Sequence, residues 1–143
     1  MIYLSDLMLT IFYAAFGILL MIVSNAAIDL FIPGDFAEEI RRGNRAVAWL
    51  SAGSFIGIGE ILRAVILSPV YEVAAPDFMQ GVLSSAVYAA LGIVCFILGF
   101  FAINLWHRKY ALAAEIQKGN TAAGILVFGI FVGLSLVISG AVH

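Results

Sequence analysis

The sequence predicts an all-α membrane protein whose four transmembrane helices form a parallel tandem repeat of two helix-pair units. Of the 143 residues, 64% are hydrophobic and 11% are charged, and the mean hydropathy is +1.11. Soluble domains are about half apolar and about a quarter charged. The charges also cluster in short stretches between long apolar runs. We therefore predict one transmembrane domain, residues 1–143, with the lipid bilayer as its surroundings.

Four apolar runs are long enough to cross a bilayer, which takes about 20 residues at ~1.5 Å rise each. Polar and apolar residues do not alternate along them, which argues against strands. The first run follows an acidic segment and is too long for a cleavable signal peptide, so we expect it to be retained. The predicted spans are residues 7–31, 46–68, 82–106 and 121–142.

The basic residues predict the orientation. Six of the seven lie in the connections between spans one and two and between spans three and four: Arg41, Arg42, Arg45, Arg108, Lys109 and Lys118. The connection over residues 69–77 has no Lys or Arg and carries Glu72 and Asp77. Basic loops stay in the cytoplasm, so both termini are expected on the periplasmic or extracytoplasmic side.

The two halves of the chain resemble each other. Tyr13–Ile18 reads YAAFGI and Tyr88–Ile93, 75 positions later, reads YAALGI. Glu39–Asn44 reads EIRRGN and Glu115–Asn120, 76 positions later, reads EIQKGN. Because each unit holds two spans, both copies enter the membrane from the same side. The predicted repeats are residues 7–68 and 82–142.

Each repeated loop has a structural interpretation that needs no ligand. Residues 35–42 and 108–118 are predicted to form short interfacial helices. A glycine suits the left-handed residue that ends a helix, and an asparagine suits the N-cap of the next one. The predicted capping residues are Gly43, Asn44, Gly119 and Asn120.

The doubled signature Glu-Ile-x-x-Gly-Asn-x-Ala, at residues 39–46 and 115–122, resembles the YjfL-type family of bacterial inner-membrane proteins. The resemblance covers nearly the whole chain. It implies a bacterial inner-membrane location and the same duplicated four-helix layout. That family has no established activity, so the resemblance supplies no catalytic residue.

Two charged residues fall inside the second span, where unpaired charges are costly. Glu60 and Arg63 are three residues apart and can meet on one helix surface. The rise per residue places Tyr13 and Tyr88 at about the height of Arg63. We expect a polar cluster of Glu60, Arg63 and one or both of these tyrosines that fixes helix register. The alternative is a proton or ion site, against which the second repeat has no charge at the matching positions, residues 136 and 139.

Glycines and end-of-span polar residues complete the candidates. Gly53 and Gly57 share a helix face with Glu60, and Gly129 and Gly133 are their counterparts. Such spacing favours close helix packing, within the chain first and between subunits second. Asp29 and its counterpart Asn104 end spans one and three. Capping and hydration is their first interpretation, and the mouth of a polar path is the alternative.

Several function classes lack their usual motifs. We find no phosphate-binding loop, zinc-ligand spacing, nucleophile–base pair or haem-ligating histidine within a span, and Cys95 is the single cysteine. We therefore expect no enzymatic activity, no cofactor, no metal and no nucleic-acid partner. The predicted function is a structural or interaction subunit that assembles with itself or with other membrane proteins. The alternative is a small oligomeric ion or proton channel or transporter that uses Glu60.

Overall fold

A computed structural model describes residues 4–68, 78–106 and 111–142, which form six helices. In chain order these are α1 (Leu4–Phe31), α2 (Phe36–Arg41), α3 (Arg45–Ile66), α4 (Phe78–Trp106), α5 (Leu112–Gln117) and α6 (Thr121–Ala141). Helices α1, α3, α4 and α6 are long and apolar enough to cross a membrane. Their ends lie within four residues of the predicted spans. The predicted all-α fold with four spans is confirmed, whereas the tandem repeat stays a prediction.

The short helices α2 and α5 each have six residues and are shorter than predicted. Part of the second predicted segment, with Arg108 and Lys109, lies outside the described residues, as does the acidic connection 69–77. Helices α2 and α5 both lie at one end of the bundle, together with the first residues of α3 and α6. We call this end the loop face and the opposite end the terminal face.

Helix α3 is the centre of the bundle. It packs against α1, α4 and α6, and its contact with α6 is the most extensive in the molecule. Twelve of its 22 residues are buried, whereas three of the 28 residues of α1 are. Helix α1 packs against α3 and α4 and otherwise presents its surface to the surroundings. Since lipid is as apolar as a protein core, such large exposed apolar faces are stable only in a bilayer.

Aromatic side chains fill the space between α3, α4 and α6. Phe96, Phe100 and Phe131 are fully buried, and the rings of Phe96 and Phe131 stack with centroids 4.7 Å apart. Ile58 and Ile61 of α3 complete this core. The core fixes α3 against α6, and it thereby sets which residues of the two helices can meet.

Candidate functional site

The Gly-Asn pairs lie where α2 and α5 end and the next long helix begins. Gly43 and Gly119 have φ of +81° and +82°, a left-handed conformation that disfavours any side chain. Asn44 and Asn120 are the N-caps of α3 and α6. Their side-chain oxygens accept hydrogen bonds from backbone N–H groups of the following turn at 3.0 to 3.2 Å. These residues turn the chain from the interface into the membrane.

Each capping asparagine is in turn held by the glutamate of the repeated motif. The amide nitrogen of Asn44 donates to Glu39 Oε2 at 2.7 Å, and that of Asn120 donates to Glu115 Oε2 at 2.8 Å. The hydrogen bonds from Asn120 and Lys118 hold the pKa of the Glu115 carboxyl below its usual value. The two Glu-Asn pairs therefore have the same bond in both halves, which explains why the motif contains both residues.

The two loop units, α2 and α5 with the residues that connect them to α3 and α6, also contact each other. These contacts differ between the two halves of the chain. The amide nitrogen of buried Asn44 donates to the carbonyl oxygen of Ile116 in α5 at 2.9 Å. Gln117 donates to the carbonyl oxygen of Pro33 at 2.9 Å. Asn120 is exposed and makes no such contact with α2 in the described part of the chain. Asn44 therefore joins the two halves, whereas Asn120 acts within its own half.

Asp29 and Asn104 hold the first turns of the short helices. Asp29 Oδ1 accepts a hydrogen bond from the N–H of Phe36 at 3.0 Å, and Asn104 Oδ1 accepts one from the N–H of Leu112 at 3.0 Å. Either an acid or an amide can fill this position because only an acceptor oxygen is needed. Both side chains lie at the loop face and have the geometry of a cap.

Helix α2 carries the most charged surface of the described residues. Arg41 donates to both carboxylate oxygens of Glu38 at 2.7 Å, and Arg42 donates to one of them at 3.0 Å. The bonds from Arg41 lower the pKa of the Glu38 carboxyl, and the same pair raises the pKa of Arg41. Exposed pairs of this kind add little stability, so the cluster is first of all a solvated surface.

The charged pair of the second span is formed. Arg63 donates through Nε at 2.8 Å and through Nη2 at 2.7 Å to the two carboxylate oxygens of Glu60. Ser139 of α6 also donates to Glu60 Oε1, at 3.3 Å. Glu60 is the more buried partner, with 22% of its side chain exposed against 59% for Arg63. The carboxylate therefore sits in the α3–α6 contact while the guanidinium reaches the surface.

The two tyrosines take positions other than the expected bond to Glu60. Tyr88 packs against Ala64 and Val65 of α3, and Tyr13 lines a surface groove together with Arg63. Among the described residues, the hydrogen bonds to Glu60 come from Arg63 and Ser139. Tyr13 therefore lies beside Arg63, whereas the Glu60 carboxylate is covered by α6, and a polar cluster that includes a tyrosine stays a prediction.

Sequence reasoning missed Ser139 as that partner. The sequence identifies Ser139 only as the uncharged counterpart of Arg63 in the second half. The available signal was a hydroxyl on α6 near the depth of Glu60, which makes it a possible donor to the carboxylate. The pairing could not be chosen from the sequence because the contact between α3 and α6 was not known.

The packing glycines divide into two groups. A Cβ on Gly53 would lie 2.8 Å from the Cα of Phe128, and Gly57 is equally enclosed by α4 and α6. Gly129 and Gly133 are exposed, and a Cβ there would meet no described residue within 4 Å. Packing within the chain, the first interpretation for all four, is therefore wrong for Gly129 and Gly133. Their face of α6 points away from α3.

A close contact that sequence reasoning missed lies nearer the loop face. Gly124 of α6 packs directly against the backbone of Ala46 in α3, with no room for a Cβ. A small-residue run at the start of α6 was the only signal. Together with Gly53, this contact brings the backbones of α3 and α6 together in the half of the bundle nearest the loop face.

Buried hydroxyls mark the contact between α1 and α3. Ser24 and Ser54 are fully buried, and their oxygens lie 3.4 Å apart, within reach of one hydrogen bond. Among the described residues, the side-chain oxygens of Asn25, Ser51 and Ser85 are buried without a partner. Polar side chains of this size are common in contacts between membrane helices, where they add a modest stabilisation.

Within residues 4–68, 78–106 and 111–142, no group of three metal-ligating side chains lies close enough to hold an ion. Cys95 is partly buried in α4. Three sets of polar groups instead join one helix to another: the caps at the loop face, the ion pair of α3 with Ser139, and the serines between α1 and α3.

Four apolar membrane-crossing helices, with short helices confined to one end, define a multi-pass α-helical membrane protein. Residues 1–142 match the family described as Domain of Unknown Function (DUF350). The chain belongs to this family. A family of unknown function was expected from the doubled motif, whereas the narrower YjfL-type assignment stays a prediction.

Two curated relatives are described as UPF0719 transmembrane proteins. The chain is 27% identical over 105 residues to the UPF0719 transmembrane protein YshE of Bacillus subtilis (strain 168), a match that covers 73% of this chain and 71% of that protein. It is 28% identical over 110 residues to a UPF0719 transmembrane protein of Aquifex aeolicus (strain VF5), covering 76% of this chain and 38% of that protein. No solved structure has a significant match to the chain.

Proposed function

We propose that this integral membrane protein is a structural subunit that assembles with copies of itself through the exposed glycine face of α6. The observation that carries the proposal is the position of Gly129 and Gly133, which lie four residues apart on a surface that nothing in the described chain covers. Gly140 is exposed seven residues further along the same face. We call the surface of these three residues the α6 glycine face.

Helix α6 has the physical properties of an interface helix. Membrane helices gain little from burying apolar side chains against each other, so they associate where small residues permit close backbone contact. The chain already uses this device at Gly53, where α3 and α6 touch through their backbones. The α6 glycine face offers the same low surface to a second molecule, beside the exposed side chains of Leu136 and Val137.

The ion pair supports a structural role over the channel alternative. Glu60 is engaged by Arg63 on its own helix and by Ser139 on α6. Two hydrogen bonds from Arg63 and one from Ser139 hold the carboxylate in the contact between α3 and α6, whereas a proton carrier must give up and regain its partners. The same pair links α3 to α6, and so it stabilises the helix that carries the α6 glycine face.

Location and chemistry complete the proposal. Arg41, Arg42, Arg45 and Lys118 lie at the loop face, so the positive-inside rule supports a cytoplasmic loop face and periplasmic termini. The doubled motif supports the bacterial inner membrane and a tandem repeat. We also propose that the chain is not an enzyme, binds no cofactor and no nucleic acid, and uses its glycine faces and the short helices α2 and α5 where it assembles with other membrane proteins.

Crosslinking in native membranes tests the assembly. With Cys95→Ala as background, Val137→Cys places one thiol on α6 beside the glycine face, at a side chain that is 70% exposed. We expect an oxidant to produce a disulfide-linked dimer. Adding Gly133→Leu should lower its yield roughly tenfold, whereas Ala90→Leu, on the exposed surface of α4, should leave it unchanged. Equal dimer yields for Val137→Cys alone, with Gly133→Leu and with Ala90→Leu would refute the α6 interface.

A flux measurement separates the two functions. Liposomes that contain the wild-type protein should show no more proton or cation leak than liposomes with Glu60→Gln. A leak that depends on Glu60 would replace the structural proposal by the channel alternative. The dimer yield of Glu60→Gln, measured by the same crosslink, reports whether the pair serves assembly.

A further inference from the structure

A groove with a volume of about 450 Å³ runs between α1 and α3 in the half of the bundle nearest the terminal face. This volume lies within the range of ~300–1,000 Å³ of small-ligand sites. Its lining is apolar or small except for Thr10, Tyr13 and Arg63. Gly17 and Gly59 form part of its wall, so the absence of two side chains helps to keep the groove open. We call it the α1–α3 groove.

Arg63 brings unused hydrogen-bond donors to this groove. A guanidinium has five N–H groups, and Glu60 takes two of them, one from Nε and one from Nη2. The other three have no partner within residues 4–68, 78–106 and 111–142. More than half of the Arg63 side chain is exposed, so these donors face the surroundings of the bundle. In a bilayer such donors need an acceptor, and phosphate oxygens match the guanidinium in geometry and charge.

The position of Arg63 near the end of α3 lets its long side chain extend towards lipid headgroups. Arg63 lies three residues before Ile66, the last residue of α3, and therefore about 4.5 Å from the helix end. From there the groove continues along α1 as far as Met21, about 12 Å deeper than Tyr13. A polar mouth at the interface and an apolar slot below it match the two parts of a phospholipid.

We propose that the α1–α3 groove binds one anionic phospholipid, with its phosphate on Arg63 and an acyl chain along the walls of α1 and α3. Neither a free anion nor an apolar helix uses both parts of this surface. Glu60 offsets part of the cation's charge, so recognition rests on the three remaining N–H groups as well as on charge. The site is on the opposite side of α3 from its contact with α6, and it does not depend on assembly through the α6 glycine face.

Native mass spectrometry of the detergent-solubilised protein tests this with phosphatidylglycerol and phosphatidylcholine as probes. We expect one phosphatidylglycerol per chain to be retained in preference to phosphatidylcholine. The double variant Glu60→Gln/Arg63→Gln removes the guanidinium without leaving an unpaired carboxylate, and it should weaken retention about tenfold, as expected for lost charge-assisted hydrogen bonds. Equal retention of the two lipids by the wild type would overturn the proposal.

A steric pair tests the apolar slot independently of charge. Ala14 lines the groove, and Ala15, its exposed neighbour on α1, does not. Ala14→Phe should lower phosphatidylglycerol retention as strongly as the double variant, and Ala15→Phe should leave it unchanged. Equal effects of the two variants would show general lipid contact and overturn the proposal.

Two further arms address other occupants. Inorganic phosphate should not displace the lipid, and displacement would assign the site to a free anion. A cysteine at Ala14, in the Cys95→Ala background, should not crosslink to a second chain in vesicles that contain phosphatidylglycerol. Efficient crosslinking there would assign the groove to a protein contact. The Val137→Cys crosslink, run in parallel, reports on assembly through α6 separately.

Discussion

Two glycine pairs at corresponding places in the two halves have opposite surroundings. Gly53 and Gly57 lie in the centre of the bundle, where a Cβ on Gly53 would meet the backbone of α6. Gly129 and Gly133 have the same spacing on α6 and face outward with no described residue near them. The difference lies in the neighbours, since α3 packs against three long helices, α1, α4 and α6, whereas α6 packs against two, α3 and α4. Glycine spacing therefore indicates that a backbone can be approached, and the packing determines which molecule approaches it.

The loop face repeats this contrast with asparagine. Asn44 and Asn120 form the same cap and the same bond to a glutamate. Only Asn44 also bonds across to α5, where it is buried. In both comparisons the first half supplies the contact inside the chain, and its counterpart in the second half is left at the surface.

The glycine comparison predicts the largest difference between matched variants. Gly53→Leu forces a side chain against the backbone of Phe128, which cannot rotate away, so we expect a loss of about 3 kcal/mol or more in the free energy of unfolding. In the detergent-dispersed monomer, where the α6 glycine face has no partner, Gly129→Leu adds the same side chain on an open surface and should change stability by less than ~0.5 kcal/mol. Thermal unfolding in one detergent measures both. Similar losses for the two variants would show that α6 has no free glycine face.

The fold could be read from the sequence because its main determinant is local. Continuous apolar length sets each span, and the Gly-Asn pair sets where α3 and α6 begin, so their ends were predicted within two residues. The start of α4 lies four residues before the prediction because Phe78 and Met79 already belong to the helix. Gln80 and Gly81 separate them from the continuous apolar run that begins at Val82, and this run set the predicted start.

The candidate site was less predictable because it depends on contacts between helices. The ion pair of Glu60 and Arg63 follows from their spacing along one helix. The donation from Ser139 depends on how α6 rotates against α3, and no pattern in either helix determines that rotation. The same holds for Gly129 and Gly133, whose spacing permits packing on any neighbour.

The asparagine comparison predicts an intermediate difference. Asn44→Ala removes the cap of α3 and the bond to Ile116, and it leaves a buried carbonyl without this partner, so we expect a loss of about 2–3 kcal/mol. Asn120→Ala removes the corresponding cap at an exposed site and should cost about 1 kcal/mol. Chemical unfolding monitored by helical circular dichroism compares them. If Asn120→Ala were the more damaging variant, the cross-contact of Asn44 would have no energetic importance.

The smallest predicted effect concerns the two loop glutamates and pH. Hydrogen bonds, from Arg41 to Glu38 and from Asn120 and Lys118 to Glu115, lower the pKa of each carboxyl below the ordinary value of 4.5. A carboxyl whose folded pKa is depressed stabilises the fold above its unfolded pKa, and this contribution disappears as the pH falls through the folded value. The stability lost in Glu38→Gln or Glu115→Gln, relative to wild type, should therefore be constant near neutral pH and should shrink towards zero below pH 4.5.

Melting temperatures of wild type and each variant, measured at matched pH from neutrality downward, provide this difference directly. Because both carboxylates are on the surface, added salt should weaken the difference for Glu38, whose partners are two arginines, more than for Glu115, whose first partner is the neutral amide of Asn120. A difference that grows as the pH falls would mean that the carboxyls stabilise the loop face in their protonated form. An equal response to salt would mean that the amide of Asn120 does not replace a charge, and the parallel between the two loop units would then extend to their electrostatics.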